Sequence, residues 1–212
     1  MINFDLLKNF KGIIFDLDNT LYDYDACHSS SLLYCSEIAL EKYSISKDDF
    51  DKCYYVARKK INTTLNGMAA SHSRILYFQT MSEDVFGKTN ADFSLEMENA
   101  YWSSFIDNMV FFEGAESLLE KIRNHGIKTC ILTDLTTQIQ TQKWIKLDLG
   151  RFMNFLITSE EVGVEKPNSK MFEVALMKLN LNISEVAMIG DNLEKDIKGA
   201  EKLGITAFHI SQ

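Results

Sequence analysis

Proline is almost missing from this 212-residue chain, which has one, and glycine is sparse, with ten. Such a composition excludes collagen-like sequence, low-complexity linkers and long irregular segments, and it leaves helix as the expected dominant element. Basic runs are short as well: none is longer than Arg58-Lys59-Lys60, and the formal charge is -8. Sequence-independent contact with nucleic acid needs a basic stripe to neutralise phosphates, so nucleic acid is not an expected partner. No segment approaches the roughly 18 apolar residues of a membrane span, so no membrane partner is expected either. Asp5 and Lys8 interrupt the first apolar stretch, which argues against a signal peptide. The four cysteines (Cys27, Cys35, Cys53 and Cys130) form no C-x-x-C pair and have no histidine at metal spacing. They read as reduced thiols of a cytoplasmic protein.

The chain does have enough apolar residues, 46%, to bury a core of one or two domains at roughly 150 residues each. Three short apolar runs end in polar residues at their C-terminal edge. Residues 11–15 lead into Asp16, 127–132 into Thr133 and Asp134, and 186–189 into Gly190 and Asp191. Residues 155–158 and 205–208 have the look of further strands. Helical spacing fills the intervals, as in Leu118, Leu119 and Ile122 before Gly126, and Ile197, Ala200 and Leu203 before Gly204. Each of these glycines suits a left-handed helix cap. Strands alternating with helices predict an α/β fold with a parallel, Rossmann-like sheet.

Residues 23–109 carry helical patterns only: Leu32, Ser36, Ala39, Tyr43; then Phe50, Cys53/Tyr54, Ala57, Ile61; then Ile75, Phe78, Met81/Ser82, Val85; and Trp102, Phe105/Ile106, Met109. Ser46 is the expected N-cap of the second. The prediction is a helical domain, 23–109, inserted into a core formed by 1–22 and 110–212. Arg74 and the run Arg58-Lys59-Lys60, with His28 and His72, are candidates to meet an anionic substrate, set against the ordinary readings of incidental histidines and a solvated charge run.

Chemistry gathers at the strand ends. In Asp16-Leu17-Asp18 two carboxylates sit two apart, so an extended chain can point both the same way. Open α/β sheets bind ligands in the crevice at this edge, where one carboxylate can serve as nucleophile and the other can move a proton. Thr133 and the amides that follow it suit phosphate oxygens, or else a plain helix cap. Lys166 precedes the lone proline, Pro167, which disfavours helix at the lysine and fixes it just ahead of the next helix. Asp191 and Asp196 add two more acids. Four carboxylates converging on one crevice would raise one another's pKa unless a cation neutralised them, and Mg²⁺ suits such oxygen donors.

These elements, D-x-D-x-T at Asp16, the strand-end Thr133, Lys166-Pro167, and G-D-x-x-x-x-D-x-x-G-A from Gly190, occur in the order that resembles the haloacid dehalogenase superfamily. The resemblance implies a Rossmann-like core with an inserted helical cap, and a Mg²⁺-dependent phosphatase acting on a small phosphorylated metabolite through a phospho-aspartyl intermediate. It implies Asp16 as nucleophile and Asp18 as general acid and then base. Thr133, Asp134 and Lys166 would meet the phosphoryl group. Asp16, Asp191 and the Asp18 carbonyl would bind Mg²⁺, with Asp196 supporting the lysine or the metal shell. Dehalogenases of this superfamily lack the second aspartate, so Asp18 favours phosphoryl chemistry. A phosphomutase and a catalytically inactive binding protein share the motifs and stay open. One departure stands out: many relatives carry Asn-Gly after the strand-end Thr, where this chain has Asp134-Leu135.

Overall fold

The computed structural model describes residues 2–211 and divides the chain into two compact units, Met1–Tyr24 with Val110–Gln212, and Asp25–Met109. The first is built on strands β1 (Gly12–Phe15), β2 (Lys128–Thr133), β3 (Phe155–Thr158), β4 (Val186–Gly190) and β5 (Thr206–His209). They form one all-parallel sheet in the order β3-β2-β1-β4-β5. The chain fills one side of β1 with β2 and β3, then crosses to place β4 and β5 on the other. The strand order therefore reverses beside β1, the place where open α/β sheets form their ligand crevice. The α/β expectation is met.

Three strands begin one residue later than the apolar runs suggest, and for β2 and β5 the reason is helix capping. Helix α5 (Ala115–Asn124) ends with Gly126 at φ +70° and the Ile127 amide donating back to the Ile122 carbonyl. The chain before β5 does the same, with Gly204 at φ +83° and the Ile205 amide donating to the Ala200 carbonyl. Ile127 and Ile205 are thus consumed in closing a left-handed cap before their strands start. Helix α8 (Ser169–Leu179) covers β2 and β3, packing Met171, Phe172, Ala175 and Leu179 onto Ile14, Cys130, Leu132, Ile157 and Met188.

The second unit, among the described residues, is helical. Helices α1 (Tyr24–Tyr43), α2 (Lys47–Thr64), α3 (Arg74–Phe86) and α4 (Ala91–Asn108) supply it. Ser46 does cap α2, accepting from the Asp49 amide at 3.2 Å. Aromatic rings dominate the core here, with Phe50, Tyr54, Tyr77, Phe78, Phe93, Tyr101, Trp102 and Phe105 all buried. Helix α1 keeps the expected stripe, with Ser36 and Ala39 buried and Leu32 and Tyr43 half-buried. It buries the small residues Cys27, Ser31, Cys35, Ser36 and Ala39, while Leu33, Tyr34 and Leu40 are exposed. Small side chains allow close helix approach, and the Cys35 thiol reaches the Met97 carbonyl of α4. Arg74 is buried, its guanidinium 4.9 Å from the Tyr101 ring and 5.0 Å from that of Trp102. No described helix is long and apolar enough to cross a membrane.

Candidate active site

Strand β1 is buried along its whole length, and its ladder extends one residue further, the Asp16 amide donating to the Ile189 carbonyl at 2.9 Å. This ties Asp16 to the end of β4, beside Gly190 and Asp191. Its carboxylate accepts from Lys166 Nζ at 2.6 Å and from the Thr20 hydroxyl at 2.9 Å. Lys166 Nζ also donates to Asp196 at 2.7 Å, so one buried ammonium bridges two acids. Asp196 sits in a π-helical turn (Leu193–Ile197), and its second oxygen accepts from the Asn192 amide at 3.1 Å. Gly190 is required by this arrangement, because a Cβ there would fall 2.4 Å from an Asp196 oxygen.

Carboxylate oxygens of Asp16, Asp191 and Asp196 lie within 4.8 Å of one another. Burial, reinforced by Asp196 and Asp18 and opposed by Lys166, pushes the Asp16 carboxyl up to about 8. Asp191 is raised too, chiefly by burial and then by Asp196. Burial works against the charge on Lys166, but Asp16, Asp196 and Asp134 outweigh it and hold the ammonium well above its usual range. A cation there would relieve the like charge gathered at this distance. The donors are all carboxylate oxygen, the set a hard divalent ion such as Mg²⁺ takes.

Asp18 is turned elsewhere. Both its oxygens accept from Lys143 Nζ, at 2.8 and 2.9 Å, and one also accepts from the Tyr22 hydroxyl. Its carboxylate is not in the three-acid group. Thr133 ends β2, with its hydroxyl accepting from Gln140 Nε2 at 2.7 Å and facing the Asp134 carbonyl at 3.2 Å. The structure thus brings Asp16, Lys166, Asp191 and Asp196 together directly, while Asp18 and Thr133 are held by partners on α6 (Thr137–Lys146).

The Asp134-Leu135 departure also has a structural account. Asp134 accepts from the Lys166 amide at 3.1 Å and from Lys195 Nζ at 2.8 Å, so its carboxylate braces the loop with both oxygens engaged. Leu135, standing where relatives carry glycine, adopts φ +108°. A left-handed leucine costs about 1–3 kcal/mol. It is retained by burial of its side chain and by the Ser159 hydroxyl, which accepts from its amide at 2.9 Å.

Comparison with known proteins bears on this site. The family model described as haloacid dehalogenase-like hydrolase matches residues 13–210. The chain belongs to that family. Among curated members of the haloacid dehalogenase-like hydrolases, it is 38% identical over 195 residues to ribulose-1,5-bisphosphate 5-phosphatase of Halopiger xanaduensis, covering 92% of this chain and 82% of that protein. It is 27% identical to glyceraldehyde 3-phosphate phosphatase of Methanocaldococcus jannaschii, covering 94% and 84%. A crystallised haloacid dehalogenase-family phosphatase from Thermococcus onnurineus shares the fold with a TM-score of 0.72 at 23% identity, over 95% of this chain and 86% of that one.

Lys143, Gln140, Tyr22 and Lys195 are polar residues at this site to which the sequence reading gave no role. Lys195 lies within the last motif, and its spacing to Asp191 carried the only available hint. For Lys143 there was none, since a lysine in Gln-Lys-Trp-Ile-Lys looks like any surface lysine.

Proposed function

We propose that this enzyme is a Mg²⁺-dependent phosphatase that hydrolyses a small phosphomonoester through a phospho-aspartyl intermediate. That it is a phosphoric monoester hydrolase rests on family membership and on the phosphatase relatives. The observation that carries the mechanism is the Asp16 carboxylate, at the reversal point of the sheet, in contact with Lys166 and grouped with Asp191 and Asp196.

Asp16 attacks phosphorus, the ester P–O bond breaks, and Asp18 delivers its proton to the departing alkoxide. Asp18, now a carboxylate, takes a proton from water as that water attacks the aspartyl-phosphate. The Asp16–phosphorus bond breaks and inorganic phosphate leaves. Lys166 balances the charge spread over the phosphoryl oxygens, and Thr133 offers its hydroxyl to one of them. Asp16, Asp191 and the main-chain carbonyl of Asp18 would hold Mg²⁺, which supplies further neutralisation of phosphoryl charge. Asp196 fixes Lys166 and would support the metal shell.

The unit containing the sheet performs the chemistry, and the helical insertion 25–109 selects the substrate. Relatives named for ribulose-1,5-bisphosphate and glyceraldehyde 3-phosphate favour a phosphorylated sugar or similar metabolite. The proposed enzyme acts in the cytoplasm, with nucleic acid and membrane outside its substrates. Hydrolysis of p-nitrophenyl phosphate tests the core of this reading. It should require Mg²⁺ and vanish in Asp16→Asn, and Mg²⁺-independent turnover or an active Asp16→Asn enzyme would refute it.

A further inference from the structure

Helix α6 buries two polar side chains beside its apolar Ile139. It leaves Ile145 71% exposed and buries Gln140 and Lys143 completely. These two are three residues apart and so share one face of the helix. Gln140 reaches Thr133 and the Asp134 carbonyl, both at 2.7 Å, and Lys143 reaches Asp18. Hydrophobic packing alone would have turned Ile145 inward and left the lysine in water. The face instead delivers one polar side chain to each of two candidate site residues from different strands.

Lys143 is the more demanding of the pair. Its ammonium has no exposed surface, lies 5.8 and 5.6 Å from the ring centres of Tyr22 and Tyr24, and holds both oxygens of Asp18. Asp18 itself keeps 28% of its side chain exposed. A buried ion pair is poor evidence for stability, because desolvation consumes most of the attraction. Here the lysine carries nearly all of that desolvation, while the acid keeps an open side. That division suits a device for holding the acid, with the lysine as a fixed post.

We propose that Lys143 is a positioning residue for catalysis: it clamps the Asp18 carboxylate, with Tyr22 as a second support, in the place from which Asp18 exchanges protons with leaving group and water. The proposal rests on the reading of Asp18 as the acid and base. A fork of two hydrogen bonds from one ammonium, walled by two rings, limits the rotation of the partly exposed Asp18 side chain. Misplacing a proton-transfer group by about 1 Å can cost on the order of a hundredfold in rate while leaving ground-state binding untouched.

Steady-state kinetics on p-nitrophenyl phosphate with Mg²⁺, for wild type, Lys143→Met, Lys143→Arg, Asp18→Asn and the Asp18→Asn/Lys143→Met double variant, tests this. Lys143→Met should lose at least tenfold in kcat with KM within twofold, and Lys143→Arg should recover part of the loss. In the Asp18→Asn background the same lysine change should cost less than twofold, since nothing is left to position. Unchanged kcat in Lys143→Met, or an equal loss in both backgrounds, overturns the proposal. Thermal melts accompany each variant, with Lys143→Gln added. If no substitution at Lys143 gives a cooperative melt, the lysine belongs to the core structure and the proposal is overturned. Full activity in Asp18→Asn would instead strike the acid–base reading itself, which separates that failure from a failure at Lys143.

Discussion

The ammonium of Lys195 stands 2.8 Å from the carboxylate of Asp134, so the acid that follows Thr133 is answered by a base from the segment after β4. An extra negative charge beside a phosphate site would repel the ligand. This pair cancels it, and Glu165, 3.6 Å from the same ammonium, completes a small network. The positive charge of Lys195 is held up by Asp134 against the opposing effect of burial.

Removing Lys195 should therefore weaken inorganic phosphate as a competitive inhibitor severalfold, by leaving Asp134 uncompensated. The Asp134→Asn/Lys195→Met double variant should regain most of the loss. Because Lys195 is about one-third exposed, the pair should contribute only about 1 kcal/mol to stability. A double-mutant cycle of melts and phosphate inhibition constants checks both numbers.

Gly190→Ala should disable the site from beneath. The added methyl lands 2.4 Å from an Asp196 oxygen and 2.6 Å from its Cβ, so Asp196 must shift and take Lys166 with it. Overpacking of this kind costs about 1–3 kcal/mol. Urea unfolding should show that loss, together with at least a tenfold fall in kcat.

His28 predicts an acid-sensitive helical unit. Burial chiefly, with Arg74 and Arg58 adding, lowers its pKa from 6.5 to about 3, and its Nδ1 pairs with the Tyr101 hydroxyl at 2.7 Å. Between pH 6.5 and 3 the unfolded chain binds a proton that the folded one refuses. Stability therefore rises with pH across that window and is fully present above it. The melting temperature of wild type should fall more steeply between pH 6.5 and 4 than that of His28→Gln.

How far the sequence announced all this depended on the kind of signal. Strand ends were visible because an apolar run stops at an acid, and that locates Asp16 and Asp191. Helix caps were visible because Gly126 and Gly204 supply backbone freedom that other residues lack. Burial of polar side chains was not visible. Lys143 and Gln140 follow the same local pattern as solvated residues, and their partners Asp18 and Thr133 are distant in sequence or carry no local sign of the pairing. On α1, by contrast, helical spacing was enough to put Ser36 and Ala39 on the buried side.

Metal affinity should depend on Asp191 and on pH. Titration calorimetry should show Mg²⁺ binding at least tenfold weaker in Asp191→Ala, about 1.4 kcal/mol. The metal-free variant should melt no lower than wild type, since one of three clustered acids is gone. With the Asp16 carboxyl at about 8 in the metal-free protein, a cation must displace its proton. Wild-type affinity should therefore strengthen as pH rises from 6.5 to 8.

In the proposed mechanism an Asp16 carboxylate oxygen bonds to phosphorus. A crystal structure of the wild-type protein with Mg²⁺ and beryllofluoride, a mimic of the phosphoryl group, tests that directly. The predicted result is a BeF₃⁻ group bonded to an Asp16 carboxylate oxygen, with Lys166 and Thr133 in contact with its fluorines. Beryllofluoride bonded to Asp18 or to any other residue would contradict it.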